Sequence, residues 1–101
     1  MNLSSQSQRF EHHLLSAQSF SQASQTHQAR AHWHAALSVF NESAAAHAAL
    51  ALSYTDTAQL DAAMNHAVHW SLLEPTNPYA HWLLAQLLRM SNRLSEAITH
   101  A

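Results

Sequence analysis

The sequence predicts an all-α fold of repeated helix-turn-helix pairs, about six antiparallel helices in a single domain spanning residues 1–101. Three observations carry that expectation. The first is composition: twenty Ala and fourteen Leu, with few β-branched side chains, favour helix over strand. The second is that the chain resembles itself when shifted by 34 residues. Ala17, Ala51 and Ala85 fall in one column, and Phe20, Tyr54 and Leu88 in another three positions on. Ala29, Ala63 and Ala97 make a third, and two histidine columns follow: His13, His47 and His81, then His32, His66 and His100. The third is the run Glu74-Pro75-Thr76-Asn77-Pro78, a sharp break in a chain with no glycine and no other proline.

The same counts exclude several kinds of chemistry. Without cysteine there is no disulfide framework, no thiolate zinc site and no thiol nucleophile. Without glycine there is no phosphate-binding loop of the P-loop or dinucleotide type. Four basic residues, all Arg, stand against six acids, and the net charge of −2 gives no basic patch for nucleic acid. No basic or apolar signal region opens the chain, and no apolar run nears the ~18–20 residues that span a bilayer. The expectation is a soluble, cytoplasmic chain without nucleic-acid or membrane partners.

Taken in order, the units run approximately over 10–43, 44–77 and a truncated 78–101. In the middle unit the first helix is expected from about Ser43 to Tyr54, and the second from about Thr57 to Leu73. Asp56 suits the N-cap of that second helix, with Gln59 three residues on. Pro75 cannot continue a helix, Asn77 can cap the next, and Pro78 fits a first turn whose N–H would be unpaired anyway. In the third unit Asn92 marks a turn between the last two helices, being the residue type best suited to a left-handed cap after glycine. The chain stops at Ala101, about two turns into the sixth helix. An open apolar end at Leu94, Ala97 and Ile98 is therefore expected to meet a capping partner or a second copy of the chain.

The spacing resembles the tetratricopeptide repeat family over nearly the whole chain. His47, Leu50, Ala51, Tyr54, Ala63, Ala67 and Pro75 stand at that family's marked positions in the middle unit. The third unit matches through His81, Leu84, Ala85, Leu88, Ala97 and Ala101. The first matches more weakly through His13, Ser16, Ala17, Phe20, Ala29, Trp33 and Asn41. His replaces the usual aromatic at the head of each unit, and Ala67 stands where a ring normally packs; Trp70, one turn on, is expected to fill that space. The resemblance implies a right-handed solenoid whose first helices line a concave groove for a peptide or partner helix. Carried over by position, that groove is lined by Leu14, Gln18, Leu52, Tyr79, Trp82, Gln86, Arg89 and Met90, with Ser21, Ala48 and Asp56 beside them. A carboxylate clamp known in the family needs Lys or Asn where Leu14, Gln18 and Ala48 stand, and this chain has no Lys. An apolar peptide or amphipathic helix suits the residues better. The implied role is a protein-interaction adaptor or small chaperone, with a homo-oligomer as a further expectation. A fragment of a longer structural repeat array is the alternative.

Ten histidines suggest a different class, a metal-binding or pH-responsive protein. His66 and His69, three apart on one helix, are the candidate metal pair. No acid lies one turn away to complete that site. Within a histidine column, stacked helices put equivalent positions ~10 Å apart, too far to share an ion bound at ~2.0–2.1 Å. The column histidines are expected instead as half-buried stand-ins for aromatics, with no metal or cofactor. Protonating all ten moves the net charge from −2 to +8, so the fold is expected to loosen between roughly pH 7 and 5. No strained elbow or oxyanion site assembles Ser, His and Asp, and no enzyme is expected.

Overall fold

The computed structural model describes the backbone of residues 3–100 and the side chains of residues 5–92. It is all-α, with no strand among the described residues. The described residues form five helices in order: α1 (Leu3–Gln22), α2 (Thr26–Val39), α3 (Ala44–Asp56), α4 (Leu60–Leu73) and α5 (Pro78–His100). Their boundaries obey the sequence period. α1 and α3 end at 22 and 56, α2 and α4 span 26–39 and 60–73, and α3 and α5 begin at 44 and 78, each 34 residues apart.

The turns inside the first two pairs are built alike. Ser24 and Ala58 take left-handed backbone, with φ of 61° and 58°. Behind them the N–H groups of Gln25 and Gln59 donate to the carbonyls of Phe20 and Tyr54 at 2.8 and 2.9 Å. Those bonds satisfy carbonyls that a helix end leaves open, and they close each turn without glycine. The turn occupies residues 57–59, so α4 starts at Leu60 rather than near Thr57. Asp56 is therefore the last residue of α3 and not the cap of α4; Gln59 holds that position without a side-chain cap bond.

The entries to α3 and α5 are better capped. Ser43 accepts from the Ala46 N–H at 3.2 Å, and Asn77 Oδ1 accepts from the Tyr79 N–H at 2.9 Å. The proline break ends α4 at Leu73 and starts α5 at Pro78, as its residues predict. Glu74 ties it down, its Oε1 accepting from Trp70 Nε1 at 2.7 Å and from Asn77 Nδ2 at 3.1 Å. Those two bonds, the Trp70 one first, hold the Glu74 carboxyl below its usual range.

Among the described residues there is no sixth helix. α5 runs without interruption through Asn92 to His100, so the expected turn there is not made. Neither proline nor glycine stands at residues 91–93, and a continuous helix keeps every i to i−4 bond across them. Leu94, Ala97 and Ile98 lie on this last stretch, outside the described side chains.

Each helix packs chiefly on its neighbours in sequence: α1 on α2, α2 on α3, α3 on α4 and α4 on α5. The molecule is accordingly long, 55 × 30 × 21 Å, with a radius of gyration of 15.1 Å. A compact chain of this length has about 13 Å. Two apolar clusters fill it. Ala17, Ala29, Trp33, Ala46 and Leu50 form one; Ala51, Ala63, Ala67, Trp70, Ala80, Leu83 and Leu87 form the other. Ala17 and Ala29 are buried together in the first cluster and Ala51 and Ala63 in the second, where Trp70 also packs with Ala67. Tyr54 touches both clusters and joins them.

Candidate partner-binding surface

The face of α5 turned from the core repeats as Tyr79, Trp82, Gln86 and Arg89, while Ala80, Leu83 and Leu87 repeat at the same spacing on the buried face. Tyr79 is 72% and Trp82 56% exposed, an uncommon state for two large aromatics side by side. With its amide oxygen turned toward them, Gln86 accepts from Trp82 Nε1 at 3.3 Å and from Arg89 Nη2 at 3.2 Å. These bonds tie Trp82 and Arg89 to one strip of α5, with Tyr79 one turn before them.

The other residues expected to line a groove divide. Leu52, half-exposed at 46%, joins Ser21 and Asp56 in one cleft of about 440 Å³ between the end of α1, the start of α2 and α3, with Trp33 at its base. Gln18 is exposed. Leu14 and Met90 instead pack against the first and second core clusters. Both sit beside the apolar stripe of their helices, and burial takes them into it.

The histidines are where sequence reasoning saw the pattern and missed its use. The two columns pair with each other: His13 Nδ1 lies 3.0 Å from His32 Nδ1, and His47 Nδ1 lies 3.0 Å from His66 Nδ1. Both pairs span 19 residues, joining the first helix of a unit to its second. That constant offset between columns is the signal that could have found them. His47 Nε2 lies 3.0 Å from the Asn41 carbonyl, which only accepts, so that nitrogen carries its hydrogen. In the neutral pair His47 Nδ1 is then the acceptor and His66 Nδ1 the donor.

Around this pair the rings are stacked. His69 lies on His47 with centroids 4.9 Å apart, Tyr54 on His66 at 5.9 Å, and His34 meets His66 edge-on at 5.7 Å. Burial, and then the neighbouring His47, His34 and His69, push the His66 pKa down to about 4. Burial lowers His13 and His34 as well, with His32 and Arg30 respectively as the leading charges. Of the candidate metal pair, His66 bonds to His47 through Nδ1, and the exposed His69 puts Nδ1 2.8 Å from the Asn65 carbonyl. Among the described residues no three His, Asp or Glu side chains are placed to hold a metal ion.

Arg30 was not foreseen at all. It is buried, with Nε donating to Ser53 Oγ at 2.8 Å and Nη2 to Ser53 O and Thr57 Oγ1 at 2.7 Å each. Its guanidinium lies 4.3 Å over the Tyr54 ring. The cation thus sits against the C-terminus of α3, where the helix dipole favours it.

No family model, curated protein or solved structure matches the chain. No helix among the described residues is long and apolar enough to cross a membrane.

Proposed function

We propose that the chain is a tetratricopeptide-like interaction module, a cytoplasmic adaptor or small chaperone that holds an apolar amphipathic helix along its groove side. Support comes from the α5 strip, where Tyr79 and Trp82 stand in water beside Arg89. Tyr, Trp and Arg are the residue types that most often dominate binding energy, and an exposed pair gains apolar burial only when a partner covers it. A helix with a carboxylate beside its apolar stripe meets both features. The 34-residue step of the helix boundaries agrees with the repeat that this reading assumes.

Labelled amphipathic peptides, one set with acidic and one with basic polar faces, test it by fluorescence anisotropy. Acidic peptides are expected to bind, with Trp82→Ala weakening them about 30-fold, the loss of a hot spot of about 2 kcal/mol. Arg89→Ala is expected to abolish the preference for acidic over basic faces. Equal affinity of the parent and Trp82→Ala for every peptide in the panel counts against the groove.

A second reading, response to pH, is favoured by the buried His47–His66 pair. One added proton leaves the nitrogen-to-nitrogen bond in place, whereas a second puts N–H against N–H and breaks it.

A further inference from the structure

The cleft between α1, α2 and α3 contains polar groups that the fold itself does not use. Asp56 is the last residue of α3, where the helix dipole disfavours an anion, and no basic residue stands in that turn. Its carboxylate has no hydrogen-bond or ion-pair partner among the described residues. Arg30, the cation at this end of α3, is committed to Ser53, Thr57 and the Tyr54 ring. Trp33 lines the same cleft and is only 7% exposed, yet its indole N–H donates to no group among the described residues. No described side-chain nitrogen or oxygen is both fully buried and unpartnered, so this N–H meets solvent, and the cleft is the opening that Trp33 lines. An indole nitrogen can only donate.

The two unused groups stand well apart. Trp33 clusters with Leu50, and Ala49 borders both that cluster and the cleft. Six or seven residues of α3, about 9–10 Å along its axis, separate that level from Asp56. Leu52 lines the cleft between them, while Ser21 and Ser24 bring hydroxyls from the end of α1 and its turn. A volume of about 440 Å³ falls in the range of sites for small groups. An anion, an apolar wall and a donor, in that order, fit a cation on an aliphatic stem that leads to a carbonyl.

We propose that this cleft takes an Arg or Lys side chain of the partner peptide. The charged head meets Asp56, the stem lies along Leu52 and Ala49, and the backbone carbonyl of that residue accepts from Trp33 Nε1. A helix leaves its last four carbonyls unpaired and favours cations in its last turn, so a helical partner supplies both groups at its C-terminal end. Leu52 stands one 34-residue step before Gln86, the centre of the α5 strip. A base in the cleft and an acid beside Arg89 therefore hold the partner one way round. The assignment rests on reading the chain as a peptide-binding module, and it adds where the basic residue of that peptide goes.

The probe is Nα-acetylarginine methylamide, set against the citrulline derivative, which has the same shape and no charge. By NMR of the isotope-labelled chain, the indole N–H signals of Trp33 and Trp82, assigned by single substitutions to Phe, read the cleft and the α5 strip separately. The arginine derivative is expected to move the Trp33 signal with half-saturation at millimolar concentration, ordinary for so small a ligand. Loss of the ligand's charge and Asp56→Asn should each weaken it about 5-fold, the share of an exposed ion pair. Asp56→Asn should also raise the thermal midpoint by removing an anion from a helix C-terminus, which separates lost recognition from lost fold. A Trp33 signal unmoved at tens of millimolar, or equal affinity for the arginine and citrulline derivatives, overturns the assignment. If acidic amphipathic peptides still move Trp82 in that case, the α5 strip stands and the cleft alone fails. Arginine moving Trp33 while no peptide moves Trp82 supports the cleft and counts against the strip.

Discussion

The buried Arg30 joins the first helix pair to the second through neutral acceptors, and its loss leaves the half-buried Ser53 and the exposed Thr57 without that donor. Arg30→Ala is expected to cost about 2–4 kcal/mol, since charge-assisted bonds contribute about 1.5–3 kcal/mol each and do not add fully. Arg30→Lys should recover little, because an ammonium cannot fork to two helix residues while lying flat on Tyr54. Urea midpoints of the three proteins check this. None of it was legible in the sequence: an Arg on a helix is normally solvated, and its partners lie 23 and 27 residues away. The histidine columns were legible, but their pairing needed to be known as contact between antiparallel helices. For His66 the folded pKa of about 4 lies below the ordinary 6.5, so between those values the unfolded chain binds the extra proton. Stability therefore is full above about pH 6.5, falls as pH drops toward 4, and levels off below; His13 and His34 shift in the same direction. Thermal unfolding against pH should show that decline, and His66→Gln should flatten it.

Helix ends show where local sequence decides and where it does not. The proline break was legible because Pro75 and Pro78 act on their own backbone, and Asn77 caps whatever follows. The turns at Ser24 and Ala58 have no such marker. They are made because burying Ala17 with Ala29 and Ala51 with Ala63 requires the chain to reverse there. At Asn92 the residue is better suited to the turn, yet α5 continues, so suitability alone does not make one. Left-handed Ala and Ser are strained, and Ala58→Gly and Ser24→Gly are each expected to stabilise by about 1 kcal/mol. That is a rise of about 4–8 °C in the thermal midpoint for a chain of this size. Either substitution lowering the midpoint would mean the turn is not the strained element described.

Over the whole molecule, packing between sequence neighbours makes stability a sum of local interfaces, with Tyr54 and Arg30 as the bridge between clusters. Tyr54→Ala is expected to uncouple them: hydrogen exchange should then show α1 and α2 opening at lower denaturant than α3 to α5, where the parent opens as one. The all-α class and the period were legible because both rest on residue type and spacing alone. The exposed face of α5 was legible, since Tyr79, Trp82 and Arg89 lie on it, whereas Leu14 and Met90, expected beside them in a groove, go to the core. Ser43 and Asn77 begin their helices at one and the same phase of the repeat. The chain is consequently something that can be lengthened by the block: a duplicate of residues 44–77 spliced after Asn77 would hand α4 on to a new α3 without inventing a joint.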